Sequence, residues 1–224
     1  MNKIADADRR AGRDRVIRRR GTLVVVSAPS GAGKTTLCRE ARLRLPDLAY
    51  SVSYTTRPPR PGEIDGTDFC FVSEARFREL RDRGEFAEWA IVHGNLYGTH
   101  APVLEESLAA GHDILLDIDT QGAAQLRRRY PEAVLIFIVA PSMAELEQRL
   151  RERRSDAERE IAKRLARARE EIAMWRQYDY LVVNRDLKEA ADQLTAIIVA
   201  ERSRTGRLAL GLPDLKIPDT EDRR

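Results

Sequence analysis

The chain reads as an α/β protein in which a parallel β-sheet is covered by helices on both faces. Three observations carry that reading. Short apolar runs alternate along the chain with charged segments of helical period, an order that suits strand-helix-strand crossovers. The runs Ile114-Leu115-Leu116 and Leu135-Ile136-Phe137-Ile138-Val139 are continuously apolar, as strands buried on both faces are. The first run, Leu23-Val24-Val25-Val26, ends in the small residues Ala28-Pro29-Ser30-Gly31-Ala32-Gly33 and passes into a helical pattern. With 224 residues, 33% of them charged, the chain holds one full core and a small appended lobe.

The first unit pairs a strand over 23–26 with a helix over 35–45. Its connection, Ala28-Pro29-Ser30-Gly31-Ala32-Gly33-Lys34-Thr35, has the strand-to-helix setting that a phosphate-binding P-loop requires. Free N–H groups and the positive end of the helix dipole point at an anion there. Lys34 is placed to reach the β- and γ-phosphates of a nucleoside triphosphate, and the Thr35 hydroxyl to hold Mg²⁺ between them. Thr36 completes the loop. Ala28 stands where the pattern has its first glycine, so the backbone there keeps to a region that alanine tolerates. An ordinary glycine-rich turn is the alternative, and Gly33-Lys34-Thr35 with its flanking elements favours the P-loop. The expected fold is therefore a P-loop NTPase-type parallel sheet.

Three further units follow: strand 114–118 with helix 120–129, strand 134–139 with helix 144–153, and strand 181–183 with helix 187–201. Between the first unit and these, residues 54–100 break the rhythm with prolines, glycines and short aromatic pieces, which marks an inserted lobe. Arginines crowd residues 149–169 beyond what a solvated helix face explains, and a mobile lid over phosphates accounts for the surplus. The organisation expected is a core of 21–53, 101–141 and 166–203, a lobe of 54–100 and a lid of 142–165.

Residues 1–20 hold eight Lys or Arg against three Asp, a net +5 that leaves −2 for the remainder. This arm has no aromatic residue to stack on bases and is expected to be a solvated extension, with 204–224 as a tail. Nucleic acid is not an expected partner of the core. No run approaches the roughly 20 apolar residues of a spanning helix, no secretory leader is apparent, and a cytoplasmic, membrane-free protein is expected. Cys38 and Cys70 are too few and too far apart for a disulfide framework or a zinc site. The histidines lack metal-ligand spacing and a nucleophile partner.

The lobe opens with Ser51-Val52-Ser53-Tyr54-Thr55-Thr56-Arg57-Pro58-Pro59-Arg60-Pro61-Gly62-Glu63. Two arginines three apart on a proline-stiffened segment make an anion clamp, since guanidinium forks match phosphate oxygens and little entropy is lost in holding them. Alone, that segment also fits a solvated polar loop. The rest of the chain decides. The P-loop, the Ser-x-x-Thr-Thr-Arg segment, Asp65-Gly66-Thr67-Asp68, Glu88-Trp89, Gly94-Asn95-Leu96-Tyr97-Gly98-Thr99 and Leu116-Asp117-Ile118-Asp119-Thr120-Gln121-Gly122 occur in an order that resembles the guanylate kinase family, over roughly residues 21–203.

That resemblance implies the transfer of phosphate from MgATP to GMP or dGMP. It assigns the GMP phosphate to Arg57, Arg60, Tyr97 and the position of Phe69, and the guanine to Ser53, Glu88 and Thr99, with Asp119 reading guanine, steadying an arginine, or both. Guanine offers adjacent N1–H and N2–H donors that one carboxylate can accept and adenine cannot, which suits Glu88. Asp117 corresponds to the carboxylate that orients Mg²⁺ with Thr35. Arg149, Arg153 and Arg164 correspond to lid arginines that close on the triphosphate, and Asn184 to a residue lining the adenine side. Phe69 departs from the family's tyrosine and deletes a hydroxyl donor, an expected loss of about 1 kcal/mol in phosphate binding. Arg154 and Arg185 stand where the family has glycine and an acidic residue. Competing expectations are a kinase of another phosphate-bearing acceptor, and a non-catalytic binding module of the same fold. A homo-oligomer is compatible with the sequence.

Overall fold

The computed structural model describes residues 17–92, 94–152 and 158–210. Strand β1 (Ile17–Arg19) leads to β2 (Leu23–Ser27), helix α1 (Lys34–Arg44) and β3 (Ala49–Tyr50). A second group follows with β4 (Tyr54–Thr55), β5 (Cys70–Phe71), α2 (Glu74–Asp82), β6 (Phe86–Val92) and β7 (Asn95–His100). The chain then runs through α3 (Ala101–Ala109), β8 (Ile114–Asp117), α4 (Thr120–Arg129), β9 (Val134–Val139), α5 (Met143–Glu152), α6 (Glu158–Ala173), β10 (Tyr180–Val183), α7 (Leu187–Arg202) and β11 (Leu208–Leu210).

Five strands form the parallel sheet that the sequence predicts, in the order β10-β9-β2-β8-β3. β2 lies at its centre and all five of its residues are buried. Alternate side chains serve opposite faces, as strand geometry requires. Val24 and Val26 pack with Leu37 of α1 and Leu194 and Ile198 of α7, while Leu23 and Val25 pack with Leu104 of α3 and Leu126 of α4. Each such side chain contributes roughly 1.5–3 kcal/mol on burial. The carboxyl end of this central strand therefore opens into the crevice where ligands of open α/β sheets bind.

The inserted lobe is a four-stranded sheet, β5-β4-β7-β6, with its own small core of Phe77, Leu80, Phe86 and Leu96. Ser73 caps α2 by accepting from the Arg76 amide at 3.2 Å. Helix α4 ties this lobe to the core: Gln125 accepts from the Trp89 amide at 3.2 Å and donates to the Trp89 carbonyl at 2.8 Å.

Three features differ from the sequence reading. Residues 17–20 are not a solvated arm: β1 pairs antiparallel with β11, joining the end of the expected extension to the start of the expected tail. Arg19 supplies the reason by forming an ion pair with buried Asp113. Helix α6 is continuous across residue 165, so the expected lid boundary falls inside one helix. Helix α3, with Pro102 in its first turn, occupies a stretch in which no element was expected. Residues 1–16 and 211–224 lie outside the described residues. Among the described residues no helix is long and apolar enough to cross a membrane.

Candidate active site

The turn after β2 is wound tightly. Gly31 and Gly33 take φ values of 91° and 92°, a left-handed conformation that side-chain-bearing residues avoid. Gly33 has a second constraint, because a Cβ there would lie 2.4 Å from Nδ2 of Asn184. The turn opens onto a cavity of about 280 Å³, walled by Ala28, Pro29, Ser30, Gly31, Gly33, Lys34, Thr35 and Thr36 on one side and by Arg164, Arg167 and Glu171 of α6 on the other. Ala32 points inward and is buried. Helix α1 begins at Lys34 with no side-chain cap, so its first amides face this space.

Lys34 and Asp117 meet at 2.5 Å, and the ammonium also donates to the Ile118 carbonyl at 3.0 Å. The Thr35 hydroxyl stands 3.4 Å from the other Asp117 oxygen. A hydroxyl and a carboxylate converging beside an anion cavity form a hard oxygen donor set, which fits Mg²⁺ sharing its shell with phosphate oxygens and water.

A larger cavity of about 630 Å³ adjoins the first and shares Lys34, Thr35, Val92 and Asp119 with it. Ser53, Phe69, Glu88 and Tyr97 line it, as do Asp117 and Glu63. Glu88 reaches it through a β-bulge: Phe86 pairs with His100 and Glu88 with Thr99, so one extra residue re-aims the strand. The Glu88 carboxyl is 5% exposed and accepts from the Thr99 hydroxyl at 2.7 Å. Burial pushes its pKa up to about 7, with the Thr99 hydrogen bond opposing and the Asp119 charge adding to the rise. A Cβ on Gly122 would sit 2.6 Å from the second Glu88 oxygen, so only glycine lets α4 approach this closely.

The arginine clamp has a third member that the sequence reading left without a role. One oxygen of Glu63 accepts from Arg57 at 2.8 Å and the other from the Arg60 amide at 2.7 Å. Arg57 also donates through Nε to Tyr97 at 3.2 Å, and its guanidinium lies 5.3 Å from the Phe69 ring centroid and 5.7 Å from that of Phe71. The Glu63 carboxyl is held below the usual carboxylate range, first by the Arg57 hydrogen bond and then by the Arg60 amide. Arg57 thus stands behind Glu63, and the Arg60 side chain is exposed.

On the lid side, Leu146 and Leu150 of α5 are buried and lie against Gly31. Arg149 pairs with Glu145 and donates to the Asn184 carbonyl at 2.9 Å. The Asn184 amide donates to the Ala32 carbonyl at 2.8 Å, bracing the P-loop from behind. Arg153 and Arg154 lie outside the described residues.

A family model described as guanylate kinase matches residues 20–201. The chain belongs to the guanylate kinase family. The guanylate kinase of Geobacter sulfurreducens is 53% identical over 192 residues, which cover 86% of this chain and 95% of that protein. That of Geobacter metallireducens is 52% identical with the same coverage. The crystal structure of guanylate kinase from Anaplasma phagocytophilum superposes with a TM-score of 0.72 at 36% identity, covering 86% of this chain and 92% of that one.

Within this guanylate kinase fold, Lys34, Thr35, Thr36 and Arg164 line the first cavity and Ser53, Phe69, Glu88, Tyr97, Asp117 and Asp119 the second, whereas Arg57, Arg60, Thr99, Arg149 and Asn184 line neither. The sequence reading missed Glu63, Gly122, Arg167 and Glu171 as residues of the site. Glu63 and Gly122 stood inside the quoted motifs without an assigned role. Arg167 shares one helical face with Arg164, three residues away, a spacing that could have pointed to it. Arg39 and Arg42 of α1 also line the larger cavity, and nothing in their local pattern marked them.

Proposed function

We propose that this chain transfers the γ-phosphoryl group of ATP directly to GMP, and to dGMP, forming ADP and GDP or dGDP. The observation that carries the reading is the shared wall: Lys34, Thr35 and Asp119 belong at once to a phosphate cavity and to a cavity with a buried carboxylate. Donor and acceptor phosphates bound on the two sides of that wall meet beside Lys34. The P-loop amides and Lys34 hold the triphosphate, with Arg149, Arg153 and Arg164 closing over it. Arg57, Arg60 and Tyr97 hold the acceptor phosphate, with Glu63 positioning the two arginines. Ser53, Glu88, Thr99 and Asp119 read guanine. In this chain Asn184 acts on the adenine side by fixing the loop that binds the triphosphate.

The chemistry needs no general base. A phosphate monoester with its second pKa near 6 is largely dianionic at neutral pH, so the attacking oxygen already lacks a proton. The residues have to hold two polyanions in line and balance the charge that spreads over the transferred group. Thr35 and Asp117 would hold Mg²⁺, which when bound neutralises charge on the β- and γ-phosphoryl oxygens. Closure of lobe and lid excludes water, which would otherwise hydrolyse ATP.

Coupled ADP release tests the reading, with MgATP as donor, GMP, dGMP, AMP, CMP, UMP and ribose phosphates offered separately, and products identified by mass. Turnover is expected with GMP and dGMP alone. Turnover with a sugar phosphate instead would assign the second cavity to another acceptor, and silence with every acceptor would leave a binding module.

A further inference from the structure

Asp119 occupies the seam between the two cavities and uses only one of its oxygens. Oδ1 accepts from the Gly122 amide at 2.9 Å and caps α4. Oδ2 is buried, and among the described residues no donor reaches hydrogen-bond distance of it. The nearest cation paired with it is Arg167, whose guanidinium stands 3.8 Å away. Arg167 is held there through Nε by Glu171, one turn further along α6, at 2.9 Å. Its side chain remains 44% exposed and lines the phosphate cavity. A buried acceptor is thus unsatisfied by a gap of less than 1 Å, next to a guanidinium with donors to spare.

We propose that Arg167 is a positioning residue that latches onto Oδ2 of Asp119 when the donor nucleotide binds, and so couples the donor cavity to the guanine cavity. This inference rests on the function proposed above. Arg164 and Arg167 share the face of α6 that looks into the phosphate cavity, so a triphosphate draws that helix inward. A small movement brings the Arg167 fork into hydrogen-bond range of Oδ2 while Nε keeps its bond to Glu171. The effect passes on through covalent and packing contacts. Asp119 fixes the first turn of α4, Gly122 in that turn abuts Glu88, and Glu88 with Thr99 forms the wall that meets guanine. Donor binding then prepares the acceptor wall, and reciprocity requires that GMP favour donor binding by the same factor. Without such a latch, Arg167 has only its helical pair with Glu171, whose side chain is 13% exposed.

Calorimetric titration of the full chain with GMP, in the absence and presence of saturating Mg²⁺ and a non-hydrolysable ATP analogue, reads the coupling as a ratio of two affinities. The wild-type ratio is expected to be about fivefold or more, within the usual range of such couplings. Arg167→Gln is expected to bring it within twofold of unity, and Arg167→Lys to restore it in part. In an Asp119→Asn background, Arg167→Gln is expected to change the ratio no further, the non-additivity that marks a direct pair. Urea unfolding checks that each variant is folded. An unchanged ratio in folded Arg167→Gln, or a wild-type ratio of unity, overturns the latch. A wild-type chain that binds ribose phosphates but not GMP overturns instead the functional reading on which the latch rests.

Discussion

In the function proposed above, guanine recognition comes down to one carboxyl. Burial opposes the charge of Glu88 and pushes its pKa up to about 7, yet as a carboxylate it can accept both donors of the guanine edge. GMP bound as proposed therefore takes the ionised form and drives a proton off. Between pH 5.5 and 7.5 GMP affinity is expected to rise, then level off above about pH 8, as Glu88 becomes ionised without ligand. The GMP phosphate titrates near pH 6 as well, so the comparison that isolates Glu88 is Glu88→Gln, which keeps the phosphate's dependence and loses the remainder. Calorimetry in two buffers of different ionisation heat would count the proton released; an identical pH profile in both proteins removes Glu88 from the guanine site. The sign for stability is opposite. A carboxyl whose folded pKa is raised binds its proton more tightly in the native state, so its contribution is present below about pH 4.5 and is lost as pH rises through 7.

At the scale of elements, the site depends on how closely α4 approaches β6. Gly122 lies in the first turn of that helix, where alanine would gain roughly 1 kcal/mol of helix propensity. The same substitution puts a methyl group 2.6 Å from the Glu88 carboxylate, whose neighbours leave it little room. Gly122→Ala is therefore expected to raise the KM for GMP at least tenfold while the KM for ATP changes little; steady-state kinetics with each substrate varied will tell. A tenfold loss on both substrates would mean that α4 carries the P-loop with it. This contact also explains what was legible in the sequence. Lys34 and Thr35 could be read because a P-loop is local: strand, turn and helix are consecutive, and their periodicities identify them. Glu88 could be found by resemblance, but its burial could not, because it depends on a bulge opposite Thr99 and on a glycine 34 positions further along. Arg167 was hidden among the arginines of residues 149–169 for the same reason: its significance comes from Asp119, 48 positions before it.

For the whole molecule, the order of the parallel strands follows from the alternation of apolar and helical segments only in outline, and the closure of its base was misread. Asp113 precedes β8 at the end of the sheet opposite the cavities, with its side chain 1% exposed. It accepts from the Thr22 amide at 2.8 Å, forms a fork with Arg19, and meets Nε of Arg202 at 2.7 Å. Three distant segments, the first strand, the central strand and the end of α7, are thereby gathered on one carboxylate. Arg19 is 94 positions from Asp113, so the basic composition of residues 1–20 suggested solvation where the fold uses an anchor. Burial pushes the Asp113 pKa up, but the Arg19 and Thr22 hydrogen bonds and the charges of Arg19 and Arg202 overcome it and hold the carboxyl below its ordinary value. Asp113→Asn leaves the partly buried Arg19 guanidinium without its carboxylate partner and Arg202 with Asp47 alone. The expected cost is about 3 kcal/mol, the lower end of the range for a broken buried pair because both arginines retain some water. The group's folded pKa is depressed, so its stabilisation is complete above about pH 4 and is lost as pH falls through the depressed value. Urea unfolding at pH 7 should separate the two proteins by that amount, with the gap narrowing below pH 4. The KM values for GMP and ATP should stay within about twofold of wild type, because the anchor lies at the far end of the strands. A variant as stable as wild type at pH 7 would show that β1 and β11 hold without Asp113, whereas a gap that persists undiminished in acid would place the cost in lost packing and not in charge.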